Sequence, residues 1–150
     1  MHPQTVLFQG EAPLRALPVC DHYAGTEVRM RKALALQKDL GPVFDITLDC
    51  EDGAPVGQES EHAALVVDIL HSPDHIHGRV GVRIHDPSHP CWLSDIQTIL
   101  SLAGKQVAFI MIPKVSGVAQ TQMVLDAINQ ASQHAGLTQR IPAQVLIETH

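Results

Sequence analysis

The feature that most constrains this chain is an alternation. Short β-prone runs and longer amphipathic stretches take turns along almost its whole length, with no hairpin signal between them. Arg15 to Val19 reads as a first strand after an extended lead-in over residues 1–14. Thr26 is placed to cap a helix with Glu27 in its first turn, and Met30, Ala33, Leu34 and Leu40 share one face before Gly41-Pro42 stops it. Val43 to Gly53 opens as a second strand and closes on three acids, Asp49, Glu51 and Asp52.

Gly57 to Leu70 is a second helix, with Leu65, Val66, Ile69 and Leu70 on its apolar side. Arg79 to Ile84 is a third strand, and Ile96, Ile99, Leu100 and Ala103 mark a third helix. Gln106 to Ile112 is nearly all apolar, as a strand covered on both faces should be. A fourth helix over Val118 to Ala135 and a last strand, Ala143 to Ile147, complete the series. Strands separated by helices require right-handed crossovers, and so a parallel α/β sheet.

In a parallel sheet all strand ends share one rim, where α/β enzymes place their chemistry. Asp49, Glu51 and Asp52 end the second strand, Arg83, His85 and Asp86 the third, Lys114 the fourth and Glu148 the fifth. Three carboxylates this close repel one another and call for a metal ion, a cationic partner or open water. Arg83, between Val82 and Ile84, needs an anion: a structural partner among those acids, or a substrate carboxylate held in bidentate fashion. Glu148 emerges at the rim as a hard-cation ligand or a surface glutamate. Lys114 reads as an anion contact or, the favoured reading, a solvated rim residue. His71, His75 and His77 lie in a loop where nothing converges on them, whereas His85 and His89 stand nearer the rim.

Composition narrows the function classes. The 150 residues suit one domain, and 45% hydrophobic with 3% aromatic content makes a mostly aliphatic core. A net charge of −6 without a basic block argues against nucleic acid and anionic membrane as partners. No apolar run approaches the roughly 20 residues that span a bilayer. Three widely spaced cysteines without a CxxC pair point to the cytoplasm.

Five motifs, in this order, carry a resemblance. Arg15 before the first strand, Leu48-Asp49-Cys50-Glu51-Asp52-Gly53-Ala54, Val82-Arg83-Ile84, Ile112-Pro113-Lys114 and Leu146-Ile147-Glu148-Thr149 resemble the citrate lyase β-subunit-like proteins. These belong to the HpcH/HpaI aldolase and citrate lyase superfamily, which includes malyl-CoA and citramalyl-CoA lyases. Three motifs depart from that pattern: Cys50 and Gly53 stand where the family often has Leu or Phe and an alanine, the third strand continues His85-Asp86 rather than Asn-Gly, and the first leads into Cys20-Asp21 rather than Pro-Gly.

The resemblance implies a parallel (β/α)8 TIM barrel, of which about the first five strands are present. Residues 1–150 are then expected to be the N-terminal part of a single lyase domain, with no second domain and little activity alone. It implies a Mg²⁺-dependent carbon–carbon lyase that cleaves a hydroxyacyl-CoA ester of the malyl-CoA, citramalyl-CoA or citryl-CoA type into an oxo acid and an acyl-CoA. Coenzyme A enters as part of the substrate, and the full-length enzyme is expected to be a homo-oligomer.

By motif, Arg83 resembles the arginine that binds the substrate carboxylate and steadies enolate charge. Asp49, Glu51 and Asp52 resemble the acidic group that orients it, and Arg15 a substrate-binding residue. Glu148 resembles the first metal ligand and a substrate-binding residue, and the second protein ligand is expected beyond His150. Three other readings stay open at this stage: an aldolase acting on free hydroxy-oxo acids, a small Mg²⁺-binding receiver-like α/β module, and a non-catalytic partner subunit.

Overall fold

The structure is a computed structural model and describes residues 20–148. The strand expected over Arg15 to Val19, and Arg15 itself, lie outside the described residues. The elements are β1 (Asp21–Ala24), α1 (Glu27–Leu40), β2 (Asp45–Asp49), α2 (Glu59–Leu70), β3 (Val80–Arg83), α3 (Trp92–Ala103), β4 (Ile110–Ile112), α4 (Val118–His134) and β5 (Ala143–Val145). The segment Cys20–Gly25, read as a link after the first strand, therefore contains β1. Its polar residues hide it: Asp21 faces a hydrogen-bonding partner on β2, Thr47, at 2.7 Å.

All neighbouring strands are parallel and stand in the order β1-β2-β3-β4-β5. This sequential order is not the 2-1-3-4-5 order of doubly wound receiver-type sheets, so the receiver-like alternative does not hold. Right-handed crossovers between sequential neighbours put every helix on the same side. Accordingly α2 packs on α3 and α3 on α4.

The side chains divide cleanly between the two faces. Ile46 and Leu48, Val80, Val82 and Ile84, and Ile110 and Ile112 join the helix stripes in one aliphatic core. The α1 stripe is Met30, Ala33, Leu34 and Gln37. Leu40, expected on that face, is exposed, while Gln37 is buried and donates to the Phe44 carbonyl at 2.8 Å. On α3, Ile96, Ile99, Leu100 and Ala103 are all buried, as their spacing implies.

The opposite, inner face carries the alternate residues of each strand. Arg79 donates to Asp45 at 2.7 Å, and Phe109 lies over Gly81, where any Cβ would run into its ring. Tyr23 on β1 donates its hydroxyl to the Met111 sulfur on β4 at 2.9 Å. Three strand spacings of about 4.8 Å separate those strands in a flat sheet, and side chains there stand perpendicular to it. The contact thus requires the sheet to be rolled, with its inner face concave, as in a barrel.

Candidate active site

The strand-end rim gathers most of the expected residues around Arg83. Asp49 and Arg83 are register partners on β2 and β3. Both are buried, and the guanidinium meets the carboxylate through two parallel bonds, Nε to Oδ1 at 2.7 Å and Nη2 to Oδ2 at 2.6 Å. The same carboxylate accepts the Glu51 and Gly53 N–H groups, each at 2.9 Å, so the loop after β2 folds back around it. Burial alone would raise the Asp49 carboxyl. Arg83 and the two N–H groups outweigh that and hold it below its ordinary value.

Arg83 has further partners. Its Nη1 lies 3.2 Å from Glu51 Oε2 and 3.9 Å from Asp52 Oδ2, and its planar head sits 5.1 Å from the centre of the Tyr23 ring. Burial works against the charge, but Asp49 first, then Glu51 and Asp52, raise the pKa beyond its ordinary value. Glu51 behaves oppositely to Asp49. Its pKa is raised by burial, against the pull of Lys114 and Arg83. Both its oxygens are buried and meet cations at ion-pair distance without aligned hydrogen bonds. Two carboxylates in one cluster are thereby pushed apart in acidity, the pattern by which sites separate acid from base roles.

Lys114 is not the solvated rim residue its sequence position suggests. Its Nζ reaches Glu51 at 2.9 Å and Asp52 at 2.8 Å, and its backbone N–H donates to Glu148 Oε1 at 3.1 Å. It holds a left-handed φ of 48°, a costly conformation for a residue with a side chain. Asp52 and Glu51 raise its pKa. Lys114 therefore joins the end of β4 to the ends of β2 and β5. Arg83 and Glu148 stand on one rim, linked through Glu51 and Lys114.

Three supporting residues escaped the sequence reading. His62 on α2 is buried and donates Nε2–H to the Asp49 carbonyl at 2.8 Å. Asp95, buried in the first turn of α3, binds His85. Tyr23 covers Arg83. A polar residue in step with a buried helical stripe was the available signal for the first two: His62 precedes Ala63 and Val66, and Asp95 precedes Ile96 and Ile99. Of the loop histidines, His71 is bonded to the Leu102 carbonyl and His75 to that of Leu70, each at 2.9 Å, while His77 Nε2 is buried with no hydrogen bond among the described residues.

No family model matches the chain. It is 31% identical over 105 residues to L-malyl-CoA/beta-methylmalyl-CoA lyases of Cereibacter sphaeroides, a span that is 69% of this chain and 33% of theirs. It superimposes on the crystal structure of a citrate lyase from Burkholderia xenovorans LB400 with a TM-score of 0.86 and 50% identity. That match covers 90% of this chain and 42% of the other. The chain is a homologue of the HpcH/HpaI-like CoA ester lyases.

Its five parallel strands match part of the barrel of such lyases. The Haloferax volcanii malate synthase magnesium/glyoxylate complex shares the fold at 16% identity, with a TM-score of 0.73, over 91% of this chain and 44% of that one. The chain spans about a third of the length of the curated CoA ester lyases it matches. Among the described residues no helix is long and apolar enough to cross a membrane. No group of three or more His, Cys, Asp or Glu among them is arranged to hold a metal ion. Glu148 fits Mg²⁺ as a single hard-oxygen donor: it is exposed at the rim, and its one hydrogen bond among the described residues uses Oε1.

Proposed function

We propose that this chain carries the arginine side of the active site of a Mg²⁺-dependent carbon–carbon lyase. Its substrate is a hydroxyacyl-CoA ester of the malyl-CoA, citramalyl-CoA or citryl-CoA type, cleaved to an oxo acid and an acyl-CoA. The observation that carries this reading is the fixed guanidinium of Arg83. Asp49 takes the Nε and Nη2 donors, and Nη1 lies at the rim beside Glu51 and Asp52.

Such a group pairs with a substrate carboxylate or with the oxygen that gains charge as the acyl-CoA leaves as an enolate. Because Asp49 sets its direction beforehand, no reorganisation is needed as charge develops. Asp49 stays ionised and acts by orienting Arg83. Glu51 and Asp52 line the approach. Lys114 fixes the loop after β2 against the ends of β4 and β5. The chemistry a bound Mg²⁺ would supply is Lewis-acid polarisation of the oxo-acid oxygen. Glu148 is the residue here that would hold it, as first ligand, with a second expected beyond His150.

The five strands are on this reading the first part of an eight-stranded barrel, inactive without the remainder. Arg15 is retained as a substrate contact, a homo-oligomer as the working assembly and the cytoplasm as its location. The test is acyl-CoA release from malyl-CoA and citryl-CoA by the full-length protein, with and without Mg²⁺. Release that needs Mg²⁺ and falls about 1,000-fold in Arg83→Ala is expected. Glu148→Gln should raise the Mg²⁺ needed for half-activation at least about 10-fold. Equal turnover in Arg83→Ala, or in chelator, would overturn the reading.

A further inference from the structure

A second reactive group stands beside the guanidinium. His85 follows Arg83 by two residues, so their Cα atoms are at most about 7 Å apart. Asp95 Oδ2 accepts both the His85 backbone N–H at 2.9 Å and ring Nδ1–H at 2.7 Å. The carboxylate accepts from both donors, so Nδ1 carries the proton, and in the neutral imidazole the lone pair is on Nε2. Nε2 makes no hydrogen bond among the described residues, nor is it one of their buried unpartnered atoms. His89 stacks on the ring at 4.2 Å between centroids, with 14° between planes, and fixes its orientation from the other side. His89 is itself tied down by the Cys91 N–H at 3.2 Å.

This imidazole lines a cleft of about 300 Å³ between the loops after β2 and β3. Glu51, Asp52 and Lys114 also line it, so the cleft is continuous with the Arg83 cluster. The charged groups around His85 are Asp95 beneath it, His89 against it, Glu59 from the start of α2, and Asp86 at the cleft edge. A histidine held at one nitrogen by a buried carboxylate, with its other nitrogen toward a cleft, is the arrangement of a general base.

We propose that His85 is a catalytic residue of the lyase, moving the substrate's hydroxyl proton at Nε2. Asp95 is its positioning residue. The inference rests on the CoA ester lyase reading above. In the cleavage direction the hydroxyl proton passes to Nε2, and the O–H electron pair becomes the second bond of the new carbonyl. The C–C pair leaves onto the thioester as an enolate facing Arg83. The imidazolium proton then returns to the enolate α-carbon. The products are an oxo acid and an acyl thioester, and nothing else is consumed.

His85→Asn separates this role from a structural one, because the asparagine amide still donates to Asp95 but offers nothing in place of Nε2. In the full-length enzyme with Mg²⁺ and malyl-CoA, kcat should fall about 100-fold or more with KM within about threefold. The acid-side limb of kcat/KM should vanish. Nitrogen-15 spectra of the wild-type imidazoles should show His85 protonated at Nδ1 and bare at Nε2. The inference is overturned if His85→Asn keeps kcat within about threefold and retains the limb while Arg83→Ala is dead. The lyase reading then still stands. Wild-type protein as silent as Arg83→Ala would remove the reading and this inference together. Should His85→Asn not fold, the tautomer decides: a proton at Nε2 overturns it.

Discussion

Two arginine–aspartate pairs join the same two strands on the same inner face, and only one of them is built into a cluster. Asp45 and Asp49 begin and end β2, and Arg79, just before β3, and Arg83, at its end, stand opposite them, four residues or about 13 Å apart along the chain. The lower pair makes one bond, at 2.7 Å, with side chains 25% and 13% exposed. The upper pair is bidentate at 11% and 3%, with two backbone N–H groups, two more acids, an aromatic ring and a lysine around it. Identical residue types at matching positions thus become a simple cross-strand tie at one end and a preorganised cation at the other. The difference lies in the strand-end loops, which exist to be shaped at the rim.

Removing the acid from each pair should give the widest contrast in stability. Asp49→Ala strands a buried guanidinium and is expected to cost about 3–5 kcal/mol in urea unfolding of the full-length protein. Asp45→Ala opens a partly wet pair and should cost about 1 kcal/mol or less. Equal losses would show that the two pairs are energetically alike.

The pH dependence sharpens the comparison within the upper cluster. Asp49, held below its ordinary value, contributes stability that is present above its unfolded pKa and lost as pH falls below about 4. Glu51, raised by burial, runs the other way. Its folded form retains a proton where the unfolded chain has released it, so stability declines as pH rises from about 4.5 through its folded pKa. Urea midpoints against pH should therefore lose their acid-side fall in Asp49→Asn and their decline above pH 4.5 in Glu51→Gln. Parallel profiles for the two variants would contradict the opposed shifts.

The smallest expected effect is that of Tyr23→Phe. It keeps the ring over Arg83 and gives up only the hydroxyl contact with Met111, so kcat/KM should stay within about threefold and stability within about 1 kcal/mol. Tyr23→Ala, which uncovers the guanidinium, should cost more, and steady-state kinetics on the two variants tells the ring from the hydroxyl.

The helix-facing half of this molecule was open to sequence reading because burial there repeats at helical spacing. Met30, Ala33 and Leu34, or Ile96, Ile99 and Leu100, can face only one way. The Arg83–Asp49 pairing was legible for a related reason: a guanidinium inside an apolar strand demands an anion, and acids ended the neighbouring strand. What the pattern concealed was the inner face. β1 is written in polar residues because Asp21 answers Thr47 and Tyr23 answers Met111 across a rolled sheet, contacts with no local signature. Lys114 and Asp95 were under-read because their partners, Asp52 and His85, are 62 and 10 positions away. Hydrophobic periodicity reports what faces the helices, and is silent on which polar groups meet at the rim.

The most direct measurement of the account is a side-by-side assay of Arg83→Lys and Arg79→Lys in the full-length protein. Both retain the positive charge and lose only the guanidinium fork. With Mg²⁺ and malyl-CoA, kcat/KM for acyl-CoA release should drop about 100-fold in Arg83→Lys and stay within about threefold of wild type in Arg79→Lys. Equal activity in the two variants, or a greater loss at position 79, would contradict the assignment of the rim pair as the working one.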